Sequence, residues 1–229
     1  MKTIQTILIL ALTTTTLMAQ NMLPPPTIDV TGEGIVRVVP DEVTINIRVE
    51  NTGENTKTLK KQNDETVNDV LKFLKKMEIA DKDVQTEYMN LNKNYDYNTK
   101  TYTFAANQSI SIKLRDLKKY EEVMNGLMET GVNRIDGVSF SSSNNKALES
   151  EARKKAVENA QMKAKEYASV LNQTVGKAVS ISEFSNNNGP GPIMYKSAMM
   201  ANESAGDQQT ISVGEMEIRT TVNVSFLLN

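Results

Sequence analysis

The chain has 229 residues and a formal net charge of −2, with no cysteine, histidine or tryptophan. The lack of cysteine excludes disulfides, thiolate metal sites, a cysteine nucleophile and a lipid-bearing lipoprotein cysteine, and the lack of histidine removes the commonest general base and metal ligand. The mildly acidic balance argues against a nucleic-acid-binding surface, which needs clustered basic residues.

Residues 1–19 are typical of a secretory signal peptide. Lys2 supplies a positive charge, residues 7–12 form a short apolar run, and Ala19 is a small residue at the predicted cleavage site. The run is shorter than the roughly 20 residues of a membrane-spanning helix, and no later segment could form one. We therefore expect an exported chain without a transmembrane span once it is cleaved after Ala19, with an uncleaved anchor as the alternative. Residues 20–26 form a Pro-rich spacer before a single domain, residues 27–229.

Residues 27–50 contain a clear strand pattern. The alternating apolar positions are Ile28, Val30, Val36 and Val38 in a first run, and Val43, Ile45, Ile47 and Val49 in a second. Period-two alternation predicts strands with one face on a core and the other in water. Pro40 interrupts the pattern, since proline fixes φ and has no N–H to donate. We predict two paired strands joined at a tight corner, with the later elements docked on them.

Within the first run, Gly32-Glu33-Gly34 superficially resembles a phosphate-binding loop. It lacks the third glycine, and it lies inside a strand and not between a strand and a helix. A β-bulge or a close approach of another backbone is the favoured interpretation.

Apolar periodicity predicts three helices and five further strands. The helices cover residues 56–77, 116–130 and 145–172, with Asp116 as the cap of the second helix and Gly131 at its end. The strands cover residues 84–91, 102–114, 135–141, 175–182 and 211–228. Strands 84–91 and 102–114 are expected to form a hairpin whose polar turn, residues 92–100, carries Tyr95 and Tyr97.

The predicted order is therefore β-β-α-β-β-α-β-α-β-β. It favours an α+β fold, with a mostly antiparallel sheet of about seven strands and three helices packed on one face.

The third helix carries an alanine stripe, with one alanine in every four residues. Its members are Ala152, Ala156, Ala160, Ala164 and Ala168. Small side chains on one line let another backbone come close. Packing on the chain's own sheet is the favoured interpretation, and a contact between subunits is the alternative.

Residues 185–208 form a long Gly-, Pro- and Met-rich loop, and loops of this length are usually functional or disordered. Met194, Met199 and Met200 could ligate Cu(I) or react reversibly with oxidants, although methionine is also a common filler of apolar contacts. Tyr88, Tyr95, Tyr97 and Tyr102 could cover an apolar tip or contact a partner, and exposed aromatic side chains favour an interface.

Nothing in the sequence brings a nucleophile and a base together. The carboxylate pairs Asp41-Glu42 and Glu121-Glu122 are adjacent in sequence, so their side chains diverge, and we expect both pairs on a solvated surface. We predict no catalytic, cofactor-binding or metal-binding residues and a protein that is not an enzyme.

Four segments together resemble the SIMPL-domain family. They are TGEGIVRVVPDEVTINIRVE, QTEYMNLNKNYDY, RDLKKYEEVMNGLMETGVNRIDGVSFS and ESEARKKAVENAQMKAKEYASVLNQTVGKAVSISE, and a Met-rich loop and the strand GEMEIRTTVNVSFLL follow them. The resemblance implies an α+β periplasmic or outer-membrane-associated protein without an agreed enzymatic activity. It also implies homo-oligomers and a link to oxidative-stress defence and immunogenicity.

Two functions follow as expectations. The first is a non-enzymatic exported SIMPL-domain protein that self-assembles in the cell envelope and has a stress-related role. The alternative is a periplasmic module that binds a small ligand or a metal through Met194, Met199 and Met200.

Overall fold

The computed structural model describes residues 25–98, 100–184 and 213–229. The strands within them are Thr27–Val38 (β1), Glu42–Gly53 (β2), Val84–Thr86 (β3), Asn90–Asp96 (β4), Thr101–Leu114 (β5), Arg134–Ser141 (β6), Val175–Phe184 (β7) and Met216–Leu228 (β8). The helices are Thr56–Lys76 (α1), Tyr120–Glu129 (α2) and Asn145–Val170 (α3). The predicted signal peptide and the 185–208 loop lie outside the described residues. None of the described helices is long and apolar enough to cross a membrane.

The described strands form two antiparallel sheets. One sheet has the order β1-β8-β7, and the other has the order β3-β5-β2-β6 with β4 also paired to β5. The α+β class is confirmed, but the single sheet of about seven strands is wrong. β1 does not pair with β2, because the corner after Val38 takes the chain from one sheet into the other and β1 pairs along its length with β8. The predicted strand 84–91 is two strands, β3 and the start of β4.

β2 forms the centre of the larger sheet, and its predicted faces are confirmed. Val43, Ile45, Ile47 and Val49 are fully buried or nearly so, beneath α1 and α2. α1 begins where the side chain of Asn55 accepts hydrogen bonds from the backbone N–H groups of Lys57 and Thr58. α2 ends before Gly131, whose φ of +93° is a conformation that glycine adopts readily, as predicted for this position.

α3 packs on β1 and β8 through the alanine stripe. All five alanines of the stripe are buried within the chain, so the alternative contact between subunits is wrong. Gly32 and Gly34 lie beneath the helix, and a Cβ on either would overlap the carbonyl oxygen of Ala156 or Ala152. The interpretation of Gly32-Glu33-Gly34 as a close backbone approach is confirmed.

Because α3 comes so close to β1, adding one methyl group at Gly34 should destabilise the protein strongly. Gly34→Ala should lower the free energy of unfolding by about 3 kcal/mol or more, because overpacking costs roughly 1–3 kcal/mol even where side chains can shift and here the obstacle is backbone. Urea denaturation measures the change. Gly137→Ala in β6 is the control, since an added Cβ there meets no atom within 4 Å. Equal stability of the two variants would contradict the close packing.

Asp41 ties the β1–β2 corner to the connection between β6 and α3. Its carboxylate accepts hydrogen bonds from the backbone N–H of Ser143, at 2.7 Å, and from the Ser143 hydroxyl. Its own backbone N–H donates to the carbonyl oxygen of Ser141 at 3.2 Å. The hydrogen bonds from Ser143 hold the pKa of Asp41 below its usual value, because they favour the ionised form.

The lowered pKa of Asp41 predicts a pH-dependent contribution to stability. The contribution is present above the carboxyl's unfolded pKa of about 3.9 and is lost as the pH falls through the lower folded value. Asp41→Ala should therefore lower the free energy of unfolding by about 1 kcal/mol at pH 7, and this difference should narrow below about pH 4. Denaturation across this pH range measures the difference. Ser143→Ala removes the hydroxyl hydrogen bond and keeps the one from the backbone N–H, so it should show the same two effects with a smaller size. A difference independent of pH would show that Asp41 acts only by packing.

Candidate interaction surface

The described residues contain no acidic cluster suited to a metal. Among residues 25–98, 100–184 and 213–229, no three or more Asp or Glu side chains come together as metal ligands would. Met194, Met199 and Met200 lie outside the described residues, and so does the Cu(I) site that they could form.

Glu42 is buried, and its predicted place on a solvated surface is wrong. Only 2% of the residue is exposed, and its carboxylate contacts Arg115 Nη1 at 2.8 Å and Lys113 Nζ at 2.6 Å. The same guanidinium binds both carboxylate oxygens of Asp83, at 2.6 and 2.8 Å. Arg115 thereby holds the pKa of Asp83 below its usual value. The positive charges of Lys113 and Arg115 offset the negative charges of Glu42 and Asp83, so these four residues form a structural ion-pair network.

A second candidate is an apolar groove between α2 and β6. It has a volume of about 210 Å³, and Met124, Met128, Val132 and Ile135 are among its lining residues. Pockets for small molecules usually enclose roughly 300–1,000 Å³ and bury most of the ligand. The groove is smaller than that range and open on one side, so it is a poor candidate for a ligand site.

The β4–β5 hairpin carries three neighbouring tyrosines, here called the tyrosine cluster: Tyr95, which contacts both of the others, Tyr97 and Tyr102. Antiparallel pairing puts Tyr95 opposite Tyr102, and their ring centroids are 4.8 Å apart. Tyr97 meets Tyr95 edge to face at 5.0 Å. The turn begins where the Asp96 carboxylate accepts a hydrogen bond from the backbone N–H of Asn98, at 2.8 Å.

The tyrosine cluster is largely open to solvent. Tyr97 is 83% exposed and Tyr102 is 55% exposed, although Lys93 lies 3.9 Å above the ring of Tyr102. Leu91, on the same face of β4, and Tyr88, just before that strand, are also exposed. Neighbouring aromatic side chains left in water are typical of a surface that contacts another protein.

The sequence anticipates this hairpin but not its details. The hairpin is confirmed, while most of the predicted polar turn is strand β4, which includes Tyr95. The cation–π contact of Lys93 with Tyr102 was missed. Alternation of Leu91, Lys93 and Tyr95 with asparagines is the signal that could have shown that β4 continues towards the tip.

Comparison with known proteins extends over nearly the whole domain. The family model described as "SIMPL: Protein of unknown function (DUF541)" matches residues 28–226. The "26 kDa periplasmic immunogenic protein" of Brucella melitensis is 31% identical over 211 residues, which cover 88% of this chain and 84% of that protein. "Uncharacterized protein YggE" of Escherichia coli K12 is 30% identical over 214 residues, with coverages of 91% and 86%. The protein of the same name in Edwardsiella ictaluri is 26% identical over 196 residues.

Proposed function

The chain belongs to the SIMPL (DUF541) family of proteins of unknown function, and from this premise we propose that it is a non-enzymatic periplasmic protein that self-assembles through its tyrosine cluster. The observation that carries the proposal is the exposure of Tyr97 and Tyr102 at the end of an exposed hairpin. Tyrosine provides a large, rigid contact area with only two side-chain torsions to immobilise, so its ordering cost on binding is small.

The proposed location follows from two observations. The Brucella melitensis relative is named a periplasmic protein, and residues 1–19 of this chain are typical of a signal peptide. The outer membrane is the surface beside which such an assembly would lie.

The non-enzymatic character is supported by how the conspicuous charged groups are used. Glu42 and Asp83 are held by Arg115 and Lys113, and Asp41 is held by Ser143. A general acid or base must exchange a proton with a substrate, and these carboxylates accept hydrogen bonds within the chain.

The physiological role we propose is support of the cell envelope under stress, with oxidative stress as the leading case. This proposed role is suggested by the resemblance of the chain to the SIMPL-domain family. A strain that lacks the protein should survive peroxide less well than its parent. The wild-type gene should restore survival, and a gene for an assembly-deficient variant should not. Full rescue by the variant would separate the stress role from assembly.

Self-assembly is tested by removing two rings of the tyrosine cluster. Tyr97→Ser combined with Tyr102→Ser should weaken self-association at least tenfold, which corresponds to about 1.4 kcal/mol, because exposed aromatic side chains often dominate contact energies. Sedimentation velocity of the mature protein at micromolar concentration measures the change, and circular dichroism checks folding.

Tyr167→Ser is the matched control, because Tyr167 on α3 is 55% exposed, as Tyr102 is. It should sediment as the wild type does. A monomeric wild-type protein would contradict self-assembly, and an unchanged mass of the double variant would show that the tyrosine cluster is not the contact.

A further inference from the structure

The two edge strands of the β1-β8-β7 sheet differ in how they are covered. On β1, the carbonyl oxygen of Thr31 accepts a hydrogen bond from Lys163 Nζ at 2.9 Å, and the backbone N–H of Glu33 donates to Asn159 Oδ1 at 3.1 Å. Side chains of α3 therefore bond backbone groups that another strand would otherwise use. This is a form of edge protection.

The larger sheet also carries features that discourage pairing with another chain. β3 has only three residues, and β4 has Lys93 at its centre. β6 has a register shift beside Asp136, with Arg134 two residues away. Short length, a central lysine and a bulge are each known to hinder edge-to-edge association.

Among the described residues, β7 has such protection in its first half, where two register shifts with β8 lie between Val175 and Ser180, and less of it from Ser180 onward. Residues 178–182 carry no charge, and the branched side chains Val179 and Ile181 are 52% and 58% exposed. Two register shifts with β8 fall before Ser180, and the rest of the strand is regular. Among the described residues, α3 lies on β1 and β8 and leaves most of β7 uncovered on the helix side, although Arg153 reaches β7 to pair with Glu183.

Two copies of β7 placed antiparallel to each other have complementary side chains at opposing positions. With Ser180 opposite Ser180 in an antiparallel pair, Lys177 of each strand falls opposite Glu183 of the other, and Val179 falls opposite Ile181. Opposite charges and β-branched pairs across two strands both stabilise a sheet. Parallel pairing in register would put like charges side by side.

We infer that β7 pairs antiparallel with β7 of a second copy of this chain about a two-fold axis, a specific contact that rests on the self-assembly proposed above. The pairing joins two three-stranded sheets into one of six strands. A two-fold contact of this kind uses the same surface on both copies, which the reversed complementarity of β7 supplies.

A single cysteine tests the pairing, because the natural chain has none. Ser180→Cys brings two thiols to the two-fold axis, and directly opposed strand positions are about 4.5–5.5 Å apart, within the Cα separation of a disulfide. Ser182→Cys, also exposed, is the matched control. Its two copies would be four residues apart along the pair, which is about 13 Å and too far for a disulfide.

Under mild oxidation, non-reducing electrophoresis should show several-fold more covalent dimer for Ser180→Cys than for Ser182→Cys. Equal amounts, a larger amount for Ser182→Cys, or no dimer from either would overturn the inference. The absence of a covalent dimer from both variants is the result expected if residues 185–212 of the same chain occupy the edge of β7.

The same variant, combined with the replacements at Tyr97 and Tyr102, separates this contact from the tyrosine cluster. The inference predicts that the disulfide still forms when the larger assembly is lost. If the wild-type protein assembles but Ser180→Cys gives no disulfide, the β7 pairing is wrong and self-assembly stands. If the disulfide forms while the tyrosine replacements leave the mass unchanged, the β7 pairing stands and the tyrosine cluster is not a contact.

Discussion

The close packing of α3 on β1 is the constraint on which the smaller sheet depends. A helix backbone reaches a strand backbone only where neither side carries bulk, and here Gly32 and Gly34 face Ala152, Ala156 and Ala160. This close packing of α3 on β1 determines two features of the surface. Lys163 and Asn159 reach backbone groups of β1, and among the described residues β7, on the far side of β8, is mostly uncovered by the helix. Larger side chains in the alanine stripe would hold α3 further from the sheet, and both features would then be lost.

The corner between the two sheets is held by polar contacts. Asp41 binds Ser143 and so ties the β1–β2 corner to the connection between β6 and α3, while the next residue, Glu42, is buried against Lys113 and Arg115. Adjacent residues of an extended chain point in opposite directions, so each carboxylate meets a different set of partners. Both carboxylates of this adjacent pair are thus bonded within the chain.

The two proposed contacts lie in different sheets and differ in kind. The tyrosine cluster offers aromatic area at the end of a hairpin, whereas β7 offers backbone hydrogen bonds along an edge. Because a two-fold contact is satisfied by one partner, an assembly larger than a dimer needs a second surface. Together the two proposed surfaces would let one small domain build such an assembly.

Local patterns in the sequence determined the faces of β2, the end of α2 before Gly131 and the line of small side chains on α3. Each depends on residues within one turn or one strand, where periodicity and steric preference act directly. Only the tertiary structure decided which strands pair, that β1 and β2 belong to different sheets, that the alanine stripe is internal, and that Glu42 is buried. These outcomes depend on partners distant in sequence: Thr31 bonds Asn223, 192 positions away, and β2 meets β5 and β6. A pattern in one strand shows that a face will be buried, but the partner that covers it is chosen by the packing of the whole chain.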